Sequence, residues 1–257
     1  MNGNATDDIR ACLRFYTRLP IRPGADGHAM PDFSRVCWAT PVAGAVVGAI
    51  GGGALLLGAS LKLPALVCAT AAIGACVIVT GALHEDGLAD VADGFGGGVT
   101  REQKLAIMRD SRLGSYGALA LCLSTLLRVC ALAALLQSGV LFAALGLIGA
   151  SALSRAVGLI PLVRLRPARS DGAGSSAATP SPSSLRVAFY IGVALALAPA
   201  LGAASLAQAV VGVMASVAAG AAVASFAERQ IGGYTGDVLG AAQQAAEIAV
   251  LTALSAA

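Results

Sequence analysis

Between residues 84 and 94 the chain runs His84-Glu85-Asp86-Gly87-Leu88-Ala89-Asp90-Val91-Ala92-Asp93-Gly94, the densest polar cluster in an otherwise apolar sequence. Read as a helix, this stretch sets Asp86, Asp90 and Asp93 at i, i+4 and i+7, on a single face. Three carboxylates that close repel one another unless a positive charge lies between them. Hard divalent cations prefer carboxylate oxygen, and Mg²⁺ takes one or two carboxylates while filling the rest of its shell with water and substrate phosphate. The spacing therefore points to Mg²⁺ held by Asp86, Asp90 and Asp93, with a solvated acidic loop beside a membrane as the plainer alternative. His84 falls on roughly the opposite helical face from Asp86. It is a candidate for substrate contact or proton transfer rather than for the metal, and helix-end packing explains it as well.

Three further clusters could act with these acids. Thr100-Arg101-Glu102-Gln103 has the Thr-x-x-Gln pattern that caps a helix start, and that helix should run to about Asp110. It leads into Arg109-Asp110-Ser111-Arg112-Leu113-Gly114. Two arginines three residues apart can grip phosphate oxygens through paired N–H donors, although by themselves they also suit an interfacial anchor for the next span. The last cluster is Gly232-Gly233-Tyr234-Thr235-Gly236-Asp237, followed by Gln243, Gln244 and Glu247. A glycine-rich loop feeding a helix start can hold an anion, and Asp237 is placed to cap that helix; turn-and-cap architecture explains the same residues, but not the polar side chains deeper in the span.

The elements that must position these residues are membrane helices. Of 257 residues, 57% are apolar and 12% charged, and the mean hydropathy is +0.79, against about 25% charged in ordinary soluble domains. A water-soluble globule is excluded as the natural reading. Apolar runs of the length a bilayer requires lie at 40–61, 64–83, 116–136, 140–163, 185–204, 206–227 and 238–257, which predicts an all-α polytopic integral membrane helical bundle of about seven transmembrane helices. The spans are rich in Ala, Gly, Val and Leu, and 32 glycines favour close backbone contact between helices. Arg128, Arg155 and Glu247 fall inside predicted spans, where an ionisable group faces a polar interior or a partner. Arg155 can reach the polar loops or serve a structural ion pair; Arg128 reads as structural.

Charge placement orients the bundle. Arg10, Arg14, Arg18, Arg22 and Arg35 precede the first span; Arg101, Lys104, Arg109 and Arg112 lie between the second and third. Arg164, Arg166, Arg169 and Arg186 flank the loop after the fourth, and Arg229 lies between the sixth and seventh. The opposite loops carry only Lys62, so the N-terminus and the large loops are expected in the cytoplasm and the C-terminus outside. The chain then reads as one catalytic domain over residues 1–257, with an N-terminal cytoplasmic or interfacial segment at 1–39, an acidic cytoplasmic loop at 84–115 and a cytoplasmic loop at 164–184. The stretch Ser170–Ser184, rich in Ser, Gly, Ala and Pro, is expected to be mobile. The first residues are not a secretory signal; Ile9, Cys12, Leu13 and Tyr16 share one helical face, suiting a helix in the membrane interface or packed on the bundle. Six cysteines without CxxC spacing read as small buried apolar residues.

Together, Gly81-Ala-Leu-His-Glu-Asp-Gly-Leu-Ala-Asp-Val-Ala-Asp-Gly94, Ile107-Met-Arg-Asp-Ser-Arg-Leu-Gly114, Ser154-Arg155 and Gly233-Tyr-Thr-Gly-Asp-Val-Leu-Gly240 resemble the signatures of the cobalamin synthase family, as does Phe15-Tyr-Thr-Arg-Leu-Pro20 near the start. The resemblance spans nearly the whole chain. It implies an adenosylcobinamide-GDP ribazoletransferase: an enzyme of the bacterial inner membrane, with its active site on the cytoplasmic face. Such an enzyme joins adenosylcobinamide-GDP to alpha-ribazole, or its 5'-phosphate, with release of GMP, late in cobalamin biosynthesis. It also implies Mg²⁺ held by Asp86, Asp90 and Asp93 against the pyrophosphate. Catalytic roles then fall to those aspartates with Arg109 and Arg112, and substrate binding to His84, Asp110, Ser111, Arg155, Gly233, Thr235 and Asp237. The partners expected are the two substrates and the lipid bilayer, with no nucleic acid; a homo-oligomer or association with other corrinoid-pathway enzymes is compatible. After Ala168-Arg169 the sequence departs from the family's Gly-Leu-Gly-like loop, running Asp171-Gly-Ala-Gly174 into a Ser/Pro-rich stretch.

Two other classes fit less well. A CDP-alcohol phosphatidyltransferase has an Ala-Arg pair after its Asp-Gly, where this chain has Asp90-Val91, and its acids are more widely spaced. A transporter predicts polar groups through several spans, whereas nearly all here gather at one face.

Overall fold

The computed structural model describes residues 4–23, 30–170, 178–201 and 206–256. Twelve helices follow one another in the described chain: α1 (Ala5–Tyr16), α2 (Phe33–Val36), α3 (Thr40–Ser60), α4 (Ala65–Thr80), α5 (Leu83–Gly97), α6 (Arg101–Ile107), α7 (Ser115–Ser138), α8 (Val140–Val157), α9 (Ile160–Arg164), α10 (Pro182–Leu197), α11 (Leu206–Ile231) and α12 (Gly236–Ser255). Among the described residues the only extended pairing is an isolated bridge, Pro167 to Tyr234.

Six helical stretches are long and apolar enough to cross a bilayer: Phe33–Ser60, Ser115–Ser138, Val140–Arg164, Pro182–Leu201, Leu206–Ile231 and Gly236–Ser255. The pair α4 and α5 meets at a 90° bend and counts as a seventh, broken span when the two are taken together. The protein is therefore an all-α, multi-pass membrane protein, as the composition predicts. Large side chains such as Leu57, Ile78, Leu119, Tyr190 and Met214 point outward, an apolar girdle that water would penalise and lipid accepts.

Helix contact is made by small residues. A Cβ built on Gly44 would stand 2.2 Å from the Ser151 carbonyl, and one on Gly48 2.6 Å from Ile148 Cα, so α3 and α8 touch backbone to backbone. Between Gly149 and Leu195, and between Gly192 and Leu153, α8 meets α10 in the same way. The interior divides into two apolar cores. One fills the bundle around Leu55, Leu132, Leu147 and Leu251; the other, around Cys12, Phe33, Ile231 and Tyr234, lies beneath the site.

The N-terminal segment packs on the bundle. Asn4 caps α1, Cys12 and Tyr16 are buried, and the half-buried contact is fixed by Asp8, which pairs with Arg35 at 2.9 Å and accepts from Trp38 Nε1 at 2.9 Å. Ser184 Oγ accepts from the Trp38 amide and donates to the Arg35 carbonyl, tying the start of α10 to the same place. Thus Ser181–Ser184, expected in a mobile loop, form an N-cap and first turn, with Ser181 accepting from the Ser184 amide. The Asp171–Gly174 stretch lies outside the described residues.

The cysteine expectation holds for Cys12, Cys37, Cys68 and Cys76. It fails for Cys122 and Cys130, which are exposed on the outer surface of α7; thiols are apolar enough to face lipid as readily as a core.

Candidate active site

The acidic cluster forms α5, a helix folded back into the bundle across α12 and α7. Two consecutive left-handed residues make the turn into it, Gly81 at φ +67° and Ala82 at φ +59°. The segment after α1 seals this corner, with the Arg18 amide donating to the Val79 carbonyl at 2.7 Å. Where α5 crosses α12 the backbones nearly touch. A Cβ on Gly87 would meet the Asp237 carbonyl at 2.9 Å, and one on Gly240 would meet His84 Cα at 3.3 Å. Gly87 and Gly240 therefore let the first turn of α12 bring Asp237 alongside the start of α5.

Three aspartates share this crossing. Asp86 is exposed and Asp90 half-buried, and Asp90 lies within electrostatic reach of Asp237, Asp86 and Asp93 and of the cation Arg169. Asp237 accepts from Thr235 Oγ1 at 3.1 Å and stands 3.6 Å from Arg169 Nη2; Arg169 Nη1 is buried with no hydrogen-bond partner. Thr235, not Asp237, is the N-cap of α12, accepting from the Val238 amide. The helix starts at Gly236, which puts the Asp237 carboxylate inside the first turn and free to face the cleft. Gly233 lies against the Arg166 carbonyl; reciprocal hydrogen bonds of Tyr234 with Arg166 and Ala168 bind this loop to the one carrying Arg169.

Asp93 has a different job. It is buried, and its two oxygens accept from the Gly114 and Gly117 amides, both at 2.8 Å. It anchors the orphan donors at the start of α7, a favourable place for a negative charge. Among the described residues, no three His, Cys, Asp or Glu side chains are assembled into a closed metal cage. Asp86 and Asp90, one turn apart with hard oxygen donors and a cleft beside them, match what Mg²⁺ requires of a protein that leaves most of its shell to water and phosphate.

Asp86 and Asp237 stand at the rim of a pocket of about 220 Å³. Asp86, Asp237, Gly236 and Gly240 line its polar side; Phe15, Tyr16, Phe33, Leu159 and Leu162 form apolar walls, and His84, Arg155 and Gln243 also reach it. His84 is buried and stacks on Tyr16, rings 5.6 Å apart and 8° from parallel. Arg155, 3% exposed, lies over the Tyr16 ring at 5.9 Å from its centroid and donates from Nη1 to the Ser151 carbonyl, while its Nε has no partner. Burial pushes the Tyr16 phenol above its ordinary range, with Cys12 adding to the shift and Arg155 opposing it; Tyr16 remains a neutral donor.

Below the pocket lies a buried polar chain. Arg128, 1% exposed, donates to Glu85 at 2.9 Å and stands 3.7 Å from Glu247. Gln244 bridges Glu85, Gln243 and Ser124, and Gln243 donates to Glu247 and Ser154. Of the three ionisable groups expected to face a partner or a polar interior, Arg128 and Glu247 meet in this network and Arg155 bonds the Ser151 carbonyl, and Gln243 joins the network to the pocket.

The stretch 109–112 does not line this pocket. Arg112 is exposed and chelates Asp110 through Nε at 2.9 and 3.0 Å, and its amide bonds the same carboxylate. Those side-chain and backbone hydrogen bonds pull Asp110 down to about 2. Arg109 and Ser111 are exposed beside this pair. The preceding helix has the expected capping box, Thr100 with Gln103, but ends at Ile107 rather than Asp110. Arg101 donates to the Ile231 carbonyl at 2.8 Å and to the Ala168 carbonyl, fastening α6 to both site loops. Arg169, Tyr16 and Gln243 are the site residues that sequence reasoning did not assign. Arg169 was visible only as one more positive charge, Tyr16 as part of an N-terminal motif, and Gln243 as a polar residue oddly deep in a span.

The fold and site define a multi-pass helical-bundle membrane enzyme with a carboxylate-rimmed, aromatic-walled cleft at one end. The cobalamin-5-phosphate synthase family matches residues 8–255, and the chain belongs to that family. Adenosylcobinamide-GDP ribazoletransferases similar to it include that of Azorhizobium caulinodans, 49% identical over 95% of this chain and 93% of the relative. Those of Xanthobacter autotrophicus, at 47% over 95% and 94%, and Bradyrhizobium diazoefficiens, at 43% over 98% and 95%, are close behind. No solved structure matches. The protein is accordingly a transferase of cobalamin biosynthesis.

Proposed function

We propose that this chain joins adenosylcobinamide-GDP to alpha-ribazole or alpha-ribazole 5'-phosphate, forming adenosylcobalamin or its 5'-phosphate and releasing GMP, at the cytoplasmic face of a bacterial inner membrane. The observation that carries the reading is the convergence of Asp86 and Asp237 on one pocket rim, with Asp90 within electrostatic reach of both, in a chain so similar to ribazoletransferases. The orientation follows from the basic residues flanking that face.

In the reaction the ribazole 3'-hydroxyl oxygen bonds to the phosphorus attached to cobinamide. The bond from that phosphorus to the bridging oxygen breaks, GMP departs with the oxygen, and the hydroxyl proton is released. Such chemistry asks mainly for positioning and for neutralisation of pyrophosphate charge. Asp86 and Asp90 would hold Mg²⁺, which when bound supplies that neutralisation. Arg169 steadies Asp237 at the rim and has an unpartnered donor for a phosphate oxygen. Asp93, through the Gly114 and Gly117 amides, fixes the start of α7 against α5, and so the loop that carries Arg109, Asp110, Ser111 and Arg112. That loop would close its arginines on the leaving phosphate. The apolar walls exclude water from the acceptor side.

Purified full-length protein in detergent, given both substrates and Mg²⁺, is expected to release GMP with an equal amount of corrinoid product. Asp86→Asn should lower the rate by about 100-fold or more at unchanged folding, the scale of losing a transition-state charge clamp. Well-folded wild-type protein that makes no product would overturn the reading.

A further inference from the structure

We infer that the aromatic pocket inward of Asp86 and Asp237 binds the flat benzimidazole base of the acceptor nucleoside, and not the guanosine half of the other substrate. This assignment rests on the transfer reaction proposed above.

The reacting phosphorus belongs at the carboxylate rim. In an in-line displacement, the attacking and leaving groups occupy opposite sides of that phosphorus, so a single pocket on one side of the rim accommodates one nucleoside only. The walls decide which. Phe15, Phe33, Leu159 and Leu162 present rings and aliphatic carbon, well suited to a flat, methyl-bearing bicycle and poorly to guanine, whose edge carries several donors and acceptors against which the pocket sets only His84, Arg155 and a Gln243 already donating to Ser154 and Glu247. The polar demand of the benzimidazole is small: one ring nitrogen with a free lone pair. The pocket answers it with one spare buried donor, Arg155 Nε, on a guanidinium already fixed by the Ser151 carbonyl and the Tyr16 ring. A base held there places the ribose toward Asp86 and Asp237, with its hydroxyl facing the phosphorus.

The test compares Michaelis constants for the two substrates in full-length protein, wild type against Phe33→Ala and Arg155→Lys. Leu83→Ala serves as the variant that spares the fold, since Leu83 lines the pocket but is 42% exposed. The expected result is a KM for ribazole raised roughly ten-fold by loss of apolar contact, with the KM for adenosylcobinamide-GDP unchanged; a purely structural defect would move both or lower kcat alone. A raised KM for adenosylcobinamide-GDP with ribazole unaffected puts guanosine in the pocket and overturns the assignment, as does no change in either constant. Calorimetric titration of ribazole into wild type and Leu83→Ala separates the two readings. Binding weakened by Leu83→Ala in a protein that does not turn over retains the pocket assignment and rejects the reaction. Turnover with binding indifferent to Leu83→Ala, Phe33→Ala and Arg155→Lys rejects the assignment alone.

Discussion

Asp86, Asp90 and Asp93 look equivalent as letters at helical spacing, yet their surroundings divide the labour. Asp86 lines the cleft and Asp90 lies one turn along within reach of its charge and that of Asp237, while Asp93 satisfies two amides at the start of α7. Asp93→Ala should therefore cost about 1–3 kcal/mol of stability by stranding those buried donors, read as a lower thermal midpoint in detergent; an unchanged midpoint would refute the anchoring role. The Asp110 carboxylate is held near 2 chiefly by the Arg112 side chain. A lowered carboxylate contributes above its unfolded value, here 3.8, and is lost only as pH falls through the folded one. This pair is therefore constant near neutrality, and Asp110→Asn should leave the shape of the pH–rate profile between about pH 5 and 8 unaltered. Arg128 was legible as an intramembrane charge needing a partner, but its partners were not, because Glu85 and Glu247 lie 43 and 119 positions away along the chain. Arg128→Met should destabilise by roughly 3–5 kcal/mol, since it leaves buried carboxylates uncompensated.

At the scale of helices, glycine position separates packing from mere composition. Gly48→Ala should lower stability by about 1–3 kcal/mol, because its Cβ meets the α8 backbone and neither helix can yield. Gly53→Ala on the same helix should be neutral, since nothing lies within 4 Å of the added atom; equal thermal midpoints for the two variants would contradict the α3–α8 contact. The span boundaries were readable to within a few residues, as 40–61 against Thr40–Ser60 and 206–227 against Leu206–Ile231 show, because bilayer thickness imposes both length and composition. The stretch 84–115 was harder. Four acids in fifteen residues look like a solvated loop, and only Gly87 against Asp237, Gly117 against Ala89 and Asp93, and the left-handed Gly81-Ala82 corner reveal that α5 folds back against α12 and α7. The aspartate spacing was correct as helix geometry, whereas the meeting of Asp237 with Arg169, or of His84 with Tyr16, depends on contacts between distant segments that no local pattern encodes.

Across the whole molecule, polarity is concentrated at one end of an apolar bundle, and both site loops, the α5–α7 region and the start of α12 gather there. The basic residues share that end, so cysteines introduced as Arg112→Cys and Lys62→Cys should label from opposite sides of the membrane, Arg112→Cys from the cytoplasm. Labelling of both from one side would overturn the orientation. The buried chain from Arg128 through Gln243 ties the interior of the bundle to the pocket.

The most direct test is the Mg²⁺ dependence of GMP release in wild type, Asp86→Asn, Asp90→Asn and Asp93→Asn, each confirmed as folded. The account predicts that the first two variants need at least about ten times more Mg²⁺ for half-maximal rate or lose activity outright, the loss expected when a ligand or its close support is removed, while Asp93→Asn keeps the wild-type requirement. An unchanged Mg²⁺ requirement in Asp86→Asn and Asp90→Asn would contradict it.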